Sequence, residues 1–330
     1  MRSSPSSSRP SVRTKRHVWP PSATRPPRTS LEARITSDSR PTSTGPTFAA
    51  DRLLDEATAA LVGNGVPTPR VDAELLLAWA TDTSRGAVQA RAMIGGAIAG
   101  EHVERFRQAV ARRATREPLQ HITGEAHFRA LTLAVGPGVF VPRPETESVV
   151  QFGIDALRAT AVPEPIAVDL GSGSGAIAIA MDTEVPNALV YAVERSADAL
   201  PWTRRNVATY GGTVRLVEGD LADAFPELDG SVSVVVSNPP YVPDDAVPID
   251  PEVRDHDPAL ALYGGVDGLD AVRALTETAW RLLVPGGLLV VEHAEPQGAA
   301  VRQVLARRGF RSPETHVDLT GRDRTTTATR

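Results

Sequence analysis

The chain has 330 residues, 41% of them hydrophobic, enough for one large domain and a smaller one; it contains no cysteine, which excludes disulfides, thiolate metal sites, iron–sulfur clusters and a cysteine nucleophile. Its net charge of −5 is split: residues 1–50 hold nine Lys or Arg against two acids, leaving 26 basic and 38 acidic residues, a net of −12, in 51–330. An acidic body is a poor match to a phosphate backbone, and no apolar run approaches the ~20 residues of a membrane span, so a soluble cytoplasmic protein without direct nucleic-acid or membrane binding is expected.

Residues 1–48 are rich in Ser, Pro, Thr and Arg with few large apolar side chains. Such a segment cannot bury enough surface to offset its chain entropy, and a disordered basic tail is expected there. Its composition also suits a transit peptide, but Pro20-Pro21 and Pro26-Pro27 interrupt any amphipathic helix, and a dispensable tail is the simpler reading.

From 49 to 117 the pattern is helical. Leu53, Leu54, Ala57 and Leu61 recur at helical spacing, as do Leu75, Leu76 and Trp79, and then Val103, Phe106 and Val110. Gly65, Pro67 and Pro69 separate the first two helices, and a small helical domain is expected. Residues 118–140 follow as a linker, with a β-hairpin over His121–Val135. Pro142-Arg143-Pro144 stiffens the chain before a helix that opens near Glu145; Glu145 and Glu147 read as helix-start carboxylates.

Over 141–330 strands and helices alternate. Strands are expected at Ile166–Leu170, Leu189–Glu194, Val214–Asp220, Val232–Asn238 and Leu288–His293, with helices at 175–183, 196–210, 268–283 and 297–308. This is the pattern of an α/β, doubly wound, mostly parallel sheet, whose ligands sit beyond the carboxyl ends of the strands.

Three features fall at those ends. Gly171-Ser172-Gly173-Ser174-Gly175 follows the first strand and opens a helix, so backbone can approach a ligand whose anionic group faces the helix N-terminus. Its spacing also satisfies the relaxed dinucleotide fingerprint, leaving an S-adenosylmethionine enzyme and a nicotinamide enzyme both open. Glu194, 23 residues after Gly171, ends the second strand and can accept hydrogen bonds from ribose hydroxyls under either reading.

The third feature, Asn238-Pro239-Pro240-Tyr241, ends the fourth strand. Such a tetrapeptide arises by chance in roughly one chain of this length in a thousand, so a mere stiffened turn is the weaker reading. A planar NH₂ group is a poor nucleophile because its lone pair is conjugated. The Asn238 side-chain oxygen and the Pro239 carbonyl oxygen can each accept one of its N–H groups, holding the nitrogen and raising its electron density. Proline adds no competing N–H, and Tyr241 can pack on the flat group. The motif therefore points to methylation of a planar nitrogen, amide or adenine, by alignment and charge stabilisation. The histidines show no metal-ligand spacing, and no metal is expected.

These residues resemble the release-factor glutamine methyltransferases, also called HemK or PrmC proteins, from about residue 50 to about 325. The likeness includes Asp72-Ala73-Glu74, Arg116–Gly124, Phe140–Glu147 with its Pro-Arg-Pro-Glu-Thr-Glu run, the glycine turn, Asn238–Tyr241, Pro251-Glu252-Val253-Arg254 and Gly264–Gly268. It implies a seven-stranded methyltransferase sheet that uses S-adenosyl-L-methionine to methylate the side-chain nitrogen of the Gly-Gly-Gln glutamine in peptide chain release factors. It also implies a cofactor site at Gly171, Ser172, Gly173, Ser174, Gly175, Glu194, Asp220, Leu221 and Asn238, with Asn238, Pro239, Pro240 and Tyr241 holding the glutamine. The helical N-terminal domain is expected to help dock the release factor. A sister activity on a ribosomal-protein glutamine and an adenine-N6 nucleic acid methyltransferase are the alternatives. Three departures stand out: Leu221 replaces an aromatic residue of some relatives, His293-Ala294 replaces a common His-Gly, and Thr325-Thr326-Thr327 replaces a more apolar last strand, which puts the C-terminal edge in question.

Overall fold

The computed structural model describes residues 46–210 and 212–330, so the tail expected over 1–48 lies outside the described residues up to position 45. Its last residues are not tail. Strand β1 (Thr47–Ala49) pairs antiparallel with β2 (Ala97–Ala99), and Phe48 packs on the helical core beneath the Arg107 guanidinium.

Between and after these strands run α1 (Ala50–Gly63), α2 (Pro69–Ala80), α3 (Arg85–Met93) and α4 (Gly100–Ala114). The expected faces of α1 and α4 are buried. On α2 the face is rotated: Ala73, Leu76, Leu77 and Ala80 are buried, a run at i, i+3, i+4 and i+7, while Leu75 and Trp79 stay half-exposed. Trp79 instead lies under the Arg105 guanidinium, 3.8 Å from its ring centre.

The linker also differs from expectation. Leu119–Thr123 is a helical turn, α5, ended by left-handed Gly124, and its Ile122 is buried in the helical core. The hairpin is shorter, β3 (Glu125–Phe128) with β4 (Leu131–Ala134). Arg129 at its tip has φ of +53°, and its guanidinium is bound by Glu184 and Gln151.

Next comes α6 (Pro144–Ala159), entered through Pro144 at its first position, where no N–H is needed. Then follow β5 (Ile166–Leu170), α7 (Ala176–Glu184), β6 (Leu189–Glu194), α8 (Leu200–Thr209), β7 (Arg215–Glu218) and β8 (Val232–Ser237). Two short helices, α9 (Pro251–His256) and α10 (Ala259–Leu262), precede α11 (Asp270–Leu282), β9 (Leu283–Glu292), α12 (Gly298–Arg308), β10 (Arg311–Val317) and β11 (Asp323–Thr329).

The sheet has seven strands in the order β10-β11-β9-β8-β5-β6-β7; β11 is antiparallel to both neighbours and the rest are parallel. Alternate residues face opposite layers. Val234 and Val236 pack with α6 and α7, and Val235 packs with α11 and α12. Each such buried side chain contributes about 1.5–3 kcal/mol. A Cβ at Gly153 would collide with Val236, so this glycine lets α6 lie close against β8.

The Thr-rich last strand is sound. It lies inside the sheet, with Thr325 and Thr326 buried. The reason is His293: its Nδ1 donates to the Ala294 carbonyl (2.9 Å), so its Nε2 accepts the Thr326 hydroxyl (2.8 Å). Burial lowers the pKa of His293, in keeping with a neutral ring. Among the described residues no helix is long and apolar enough to cross a membrane.

Candidate active site

The chain order turns back between β5 and β8, and a cleft of about 430 Å³ opens above their carboxyl ends. All three features singled out in the sequence contribute to its lining, with Gly175 and Pro239 themselves set back from it.

The glycine loop is shaped by its backbone. Gly171, Gly173 and Gly175 have φ of +84°, +52° and +85°, values that side-chain-bearing residues rarely adopt. The Gly171 and Ser172 amides both donate to the Val193 carbonyl at 3.0 Å. From α8, Thr203 donates to the Gly173 carbonyl and Asn206 to the Ser174 carbonyl. Asn206 also exchanges hydrogen bonds with the Ala134 backbone, so it ties the hairpin to the loop. Neither Thr203 nor Asn206 carries a motif that would mark it in the sequence.

Glu194 is buried with both oxygens engaged. One accepts the Gly173 amide and the other the Ser196 amide, each at 2.7 Å. A carboxylate oxygen has two acceptor positions, so each keeps one for a ligand hydroxyl. Asp220 is exposed, accepts the Ala222 amide and lies 3.3 Å from Arg195; the side chain of Leu221 is half-buried.

Two buried polar atoms here make no hydrogen bond among the described residues, the Ser172 hydroxyl and Asp169 Oδ1. Asp169, the penultimate residue of β5, is pushed up to about 8 by burial, which outweighs the amide of Ala178 bound to its other oxygen. Unused buried donors and acceptors, open space above Gly171 and Gly173, and the amino end of α7 fit a ligand with a carboxylate, a ribose and a flat apolar base. S-adenosylmethionine has these parts. No group of three or more His, Asp or Glu among the described residues is arranged to hold a metal.

Asn238–Tyr241 leaves β8 at the far wall. Ser237 anchors its start by donating to the Leu170 carbonyl at 2.6 Å. Residues after the motif run beside residues 262–265: Val242 donates to Leu262 and Gly264 donates back to Val242. A Cβ at Gly264 would strike the Pro240 carbonyl, and one at Gly268 the Tyr241 carbonyl. The Gly264–Gly268 segment is thus a close-fitting backing for the tetrapeptide. Gln297 completes it, donating to the Tyr241 carbonyl at 2.9 Å.

Tyr241 is half-buried, and burial together with nearby Glu292 raises its hydroxyl to about 12. It stays protonated at neutral pH. The Asn238 side-chain NH₂ faces the Thr146 hydroxyl at 3.4 Å, and Thr146 donates to Glu292 at 2.7 Å. The sequence places Thr146 in the Pro-Arg-Pro-Glu-Thr-Glu run and Glu292 in a strand, but assigns neither a role at the site. Each sits beside a residue that it did single out, Glu145 and His293, but no local pattern marks them as partners. Glu147 accepts the Arg129 amide and so holds the hairpin tip rather than only the helix start.

Behind the site the remaining shared segments meet. Arg113 binds Asp72 (2.7 Å) and Glu252 (2.6 Å), Arg116 binds Glu252 (3.0 Å) and Asp250 (3.2 Å), and Arg143 binds Asp257 (2.5 Å).

A family model described as PrmC N-terminal domain matches residues 52–124, and one described as methyltransferase small domain matches residues 131–250. A release factor glutamine methyltransferase of Streptomyces coelicolor is 53% identical over 275 residues, covering 83% of this chain and 95% of that protein. A 4-amino-L-phenylalanine/4-methylamino-L-phenylalanine methyltransferase of Streptomyces pristinaespiralis is 41% identical, covering 81% of this chain and 90% of its own. Among solved structures, a release factor-specific protein-(glutamine-N5) methyltransferase of Alicyclobacillus acidocaldarius is 27% identical, covering 59% of this chain and 98% of that one, with a TM-score of 0.36.

Proposed function

Because this chain belongs to the release factor glutamine methyltransferase family, we propose that it transfers the methyl group of S-adenosylmethionine to the side-chain nitrogen of the Gly-Gly-Gln glutamine in peptide chain release factors. The observation that carries this reading is Asn238-Pro239-Pro240-Tyr241, held rigidly at one wall of a cleft whose other wall is the glycine loop. Such a substrate puts the reaction in the cytoplasm.

S-adenosylmethionine, when bound, supplies a methyl group already activated by a positively charged sulfur. The glycine loop and the amino end of α7 take its carboxylate end, Glu194 its ribose hydroxyls, and Asp220 and Leu221 flank its base. The Asn238 oxygen and the Pro239 carbonyl each accept one N–H of the glutamine amide. That pair fixes the nitrogen in line and stabilises the positive charge that grows on it as the new C–N bond forms and the C–S bond breaks. Tyr241 packs on the amide plane, and the surplus proton leaves after transfer. The helical domain, joined to the region behind the site by Arg113 and Arg116, contributes to docking the release factor.

A second reading has one observation in its favour. The Streptomyces pristinaespiralis relative is named for an aromatic amine, another planar nitrogen. One assay separates the two: label transfer from S-adenosylmethionine to purified release factor, to the same factor with its glutamine changed, and to free 4-aminophenylalanine. Transfer to the intact factor alone is expected. Label that persists without the glutamine, or that appears only on the amino acid, overturns the proposal.

A further inference from the structure

Asn238 can hold a substrate NH₂ group only if its side-chain oxygen, and not its own NH₂, faces the cleft. An amide has two nearly isosteric orientations, so something must choose between them. Among the described residues the Asn238 side chain has one hydrogen-bond partner, the Thr146 hydroxyl. Thr146 is buried at the start of α6, and its other contact is the Glu292 carboxylate, also buried. The register explains the meeting. Ser237 of β8 pairs with Val291 of β9, so Asn238, just past β8, comes beside Glu292, the last residue of β9, and α6 lays Thr146 across both.

We infer that Thr146 and Glu292 are positioning residues that set which way the Asn238 amide faces. An ionised carboxylate only accepts, so the Thr146 proton must point to Glu292. Thr146 then offers Asn238 a lone pair, Asn238 turns its NH₂ toward it, and the amide oxygen is left facing the cleft. A protonated Glu292 reverses the chain: it donates to Thr146, the Thr146 proton turns to Asn238, and the amide is drawn round with its NH₂ toward the substrate. Two N–H donors then confront each other and the hold on the substrate nitrogen is lost. This inference rests on the role proposed above for Asn238.

The surroundings put the switch near neutrality. Burial pushes Glu292 up to about 7, with Glu145 adding to the rise and the Thr146 hydrogen bond, Arg324 and Arg143 opposing it. These groups, together with Tyr241 from the loop after β8 and His293 beside it on the chain, are the charged and titratable neighbours: Arg143 and Glu145 from the start of α6, and Arg324 from β11.

The test is the single-turnover methylation rate of purified full-length protein on release factor, from pH 5.5 to 9, with S-adenosylmethionine and factor saturating. Wild type is expected to gain rate through a midpoint near 7. Glu292→Gln and Thr146→Val are each expected to lose about tenfold at pH 8, with KM for both substrates changed less than about threefold, and Glu292→Gln to lose the limb near 7. Thr146→Ser, which restores the hydroxyl, is expected to recover most of the rate lost in Thr146→Val. Calorimetric binding of S-adenosylhomocysteine reports that each variant is folded, and if Glu292→Gln is not, the Thr146 pair decides. Rates within threefold of wild type in Thr146→Val, or an unchanged acidic limb in a folded Glu292→Gln, overturn the inference. Asn238→Ala separates the layers. If it abolishes transfer while the other variants remain active, only the Thr146–Glu292 role falls; if it stays active, the role of Asn238 falls and takes this inference with it.

Discussion

Arg113 Nη2 lies 2.6 Å from Glu252 Oε1, a contact between residues 139 positions apart that joins α4 to the helix following the Asn238 motif. The same guanidinium binds Asp72 on α2 and the Glu117 carbonyl. Both Arg113 and Asp72 have side chains about 95% buried, so neither charge has water to fall back on. Arg113→Ala therefore leaves a buried carboxylate without its cation, a loss of about 3–5 kcal/mol. A fall in melting temperature of about 5–15 °C is expected in a thermal scan; a shift under 2 °C would show that the cluster is not under tension from burial.

Gly264 tests the backing of the tetrapeptide. An added methyl has no room between the Pro240 carbonyl and the Gly268 backbone, so the chain at Pro240 must move. Gly264→Ala is expected to lower the methylation rate at least tenfold while S-adenosylhomocysteine still binds, because Gly171–Gly175 and Glu194 lie on the opposite wall. Equal loss of binding and rate would mean the damage spreads across the cleft.

Leu221 offers a gain of function. It lines the cleft, at the place proposed for the base of the cofactor, with an aliphatic side chain that cannot stack. Leu221→Phe is expected to tighten S-adenosylhomocysteine binding about 3–10-fold by calorimetry. Unchanged or weaker binding would place the adenine elsewhere.

Glu292 also predicts a pH dependence of stability. Its carboxyl is raised in the folded state from 4.5 to about 7, so the native state holds the proton more tightly than the unfolded chain does. That contribution is complete below about 4.5 and disappears as pH rises toward 7, a loss of about 3 kcal/mol. Glu292→Gln cannot ionise. Its stability relative to wild type, from urea melts, is expected to rise between pH 5 and 8; a constant difference would argue against a raised carboxyl.

Much of the fold was legible because its signals are local. Val232–Asn238 reads as a strand from its valines, and β8 covers all of it but Asn238; Gly171–Gly175 reads as a turn because only glycine tolerates those φ values without strain. Errors arose where neighbours in space overrode neighbours in sequence. Leu119–Thr123 became helical because Ile122 has a helical core to enter, and the face of α2 was set by its contacts with α1 and α4. Thr325-Thr326-Thr327 is polar for a buried strand because His293, distant in sequence, takes the Thr326 hydroxyl as its partner.

The same division holds at the site. By itself the sequence determined what to expect, a planar nitrogen held by Asn238 and Pro239 and a nucleoside cofactor over Gly171–Gly175, because those capacities reside in consecutive residues with fixed backbone chemistry. Only the tertiary structure decided how Asn238 is oriented. Thr146 and Glu292 stand 146 positions apart, and Arg113 and Glu252 stand 139 apart, so no local pattern connects them. Sheet order brings β8 and β9 together, close packing at Gly153 lays α6 over their ends, and burial then makes each of those polar contacts obligatory.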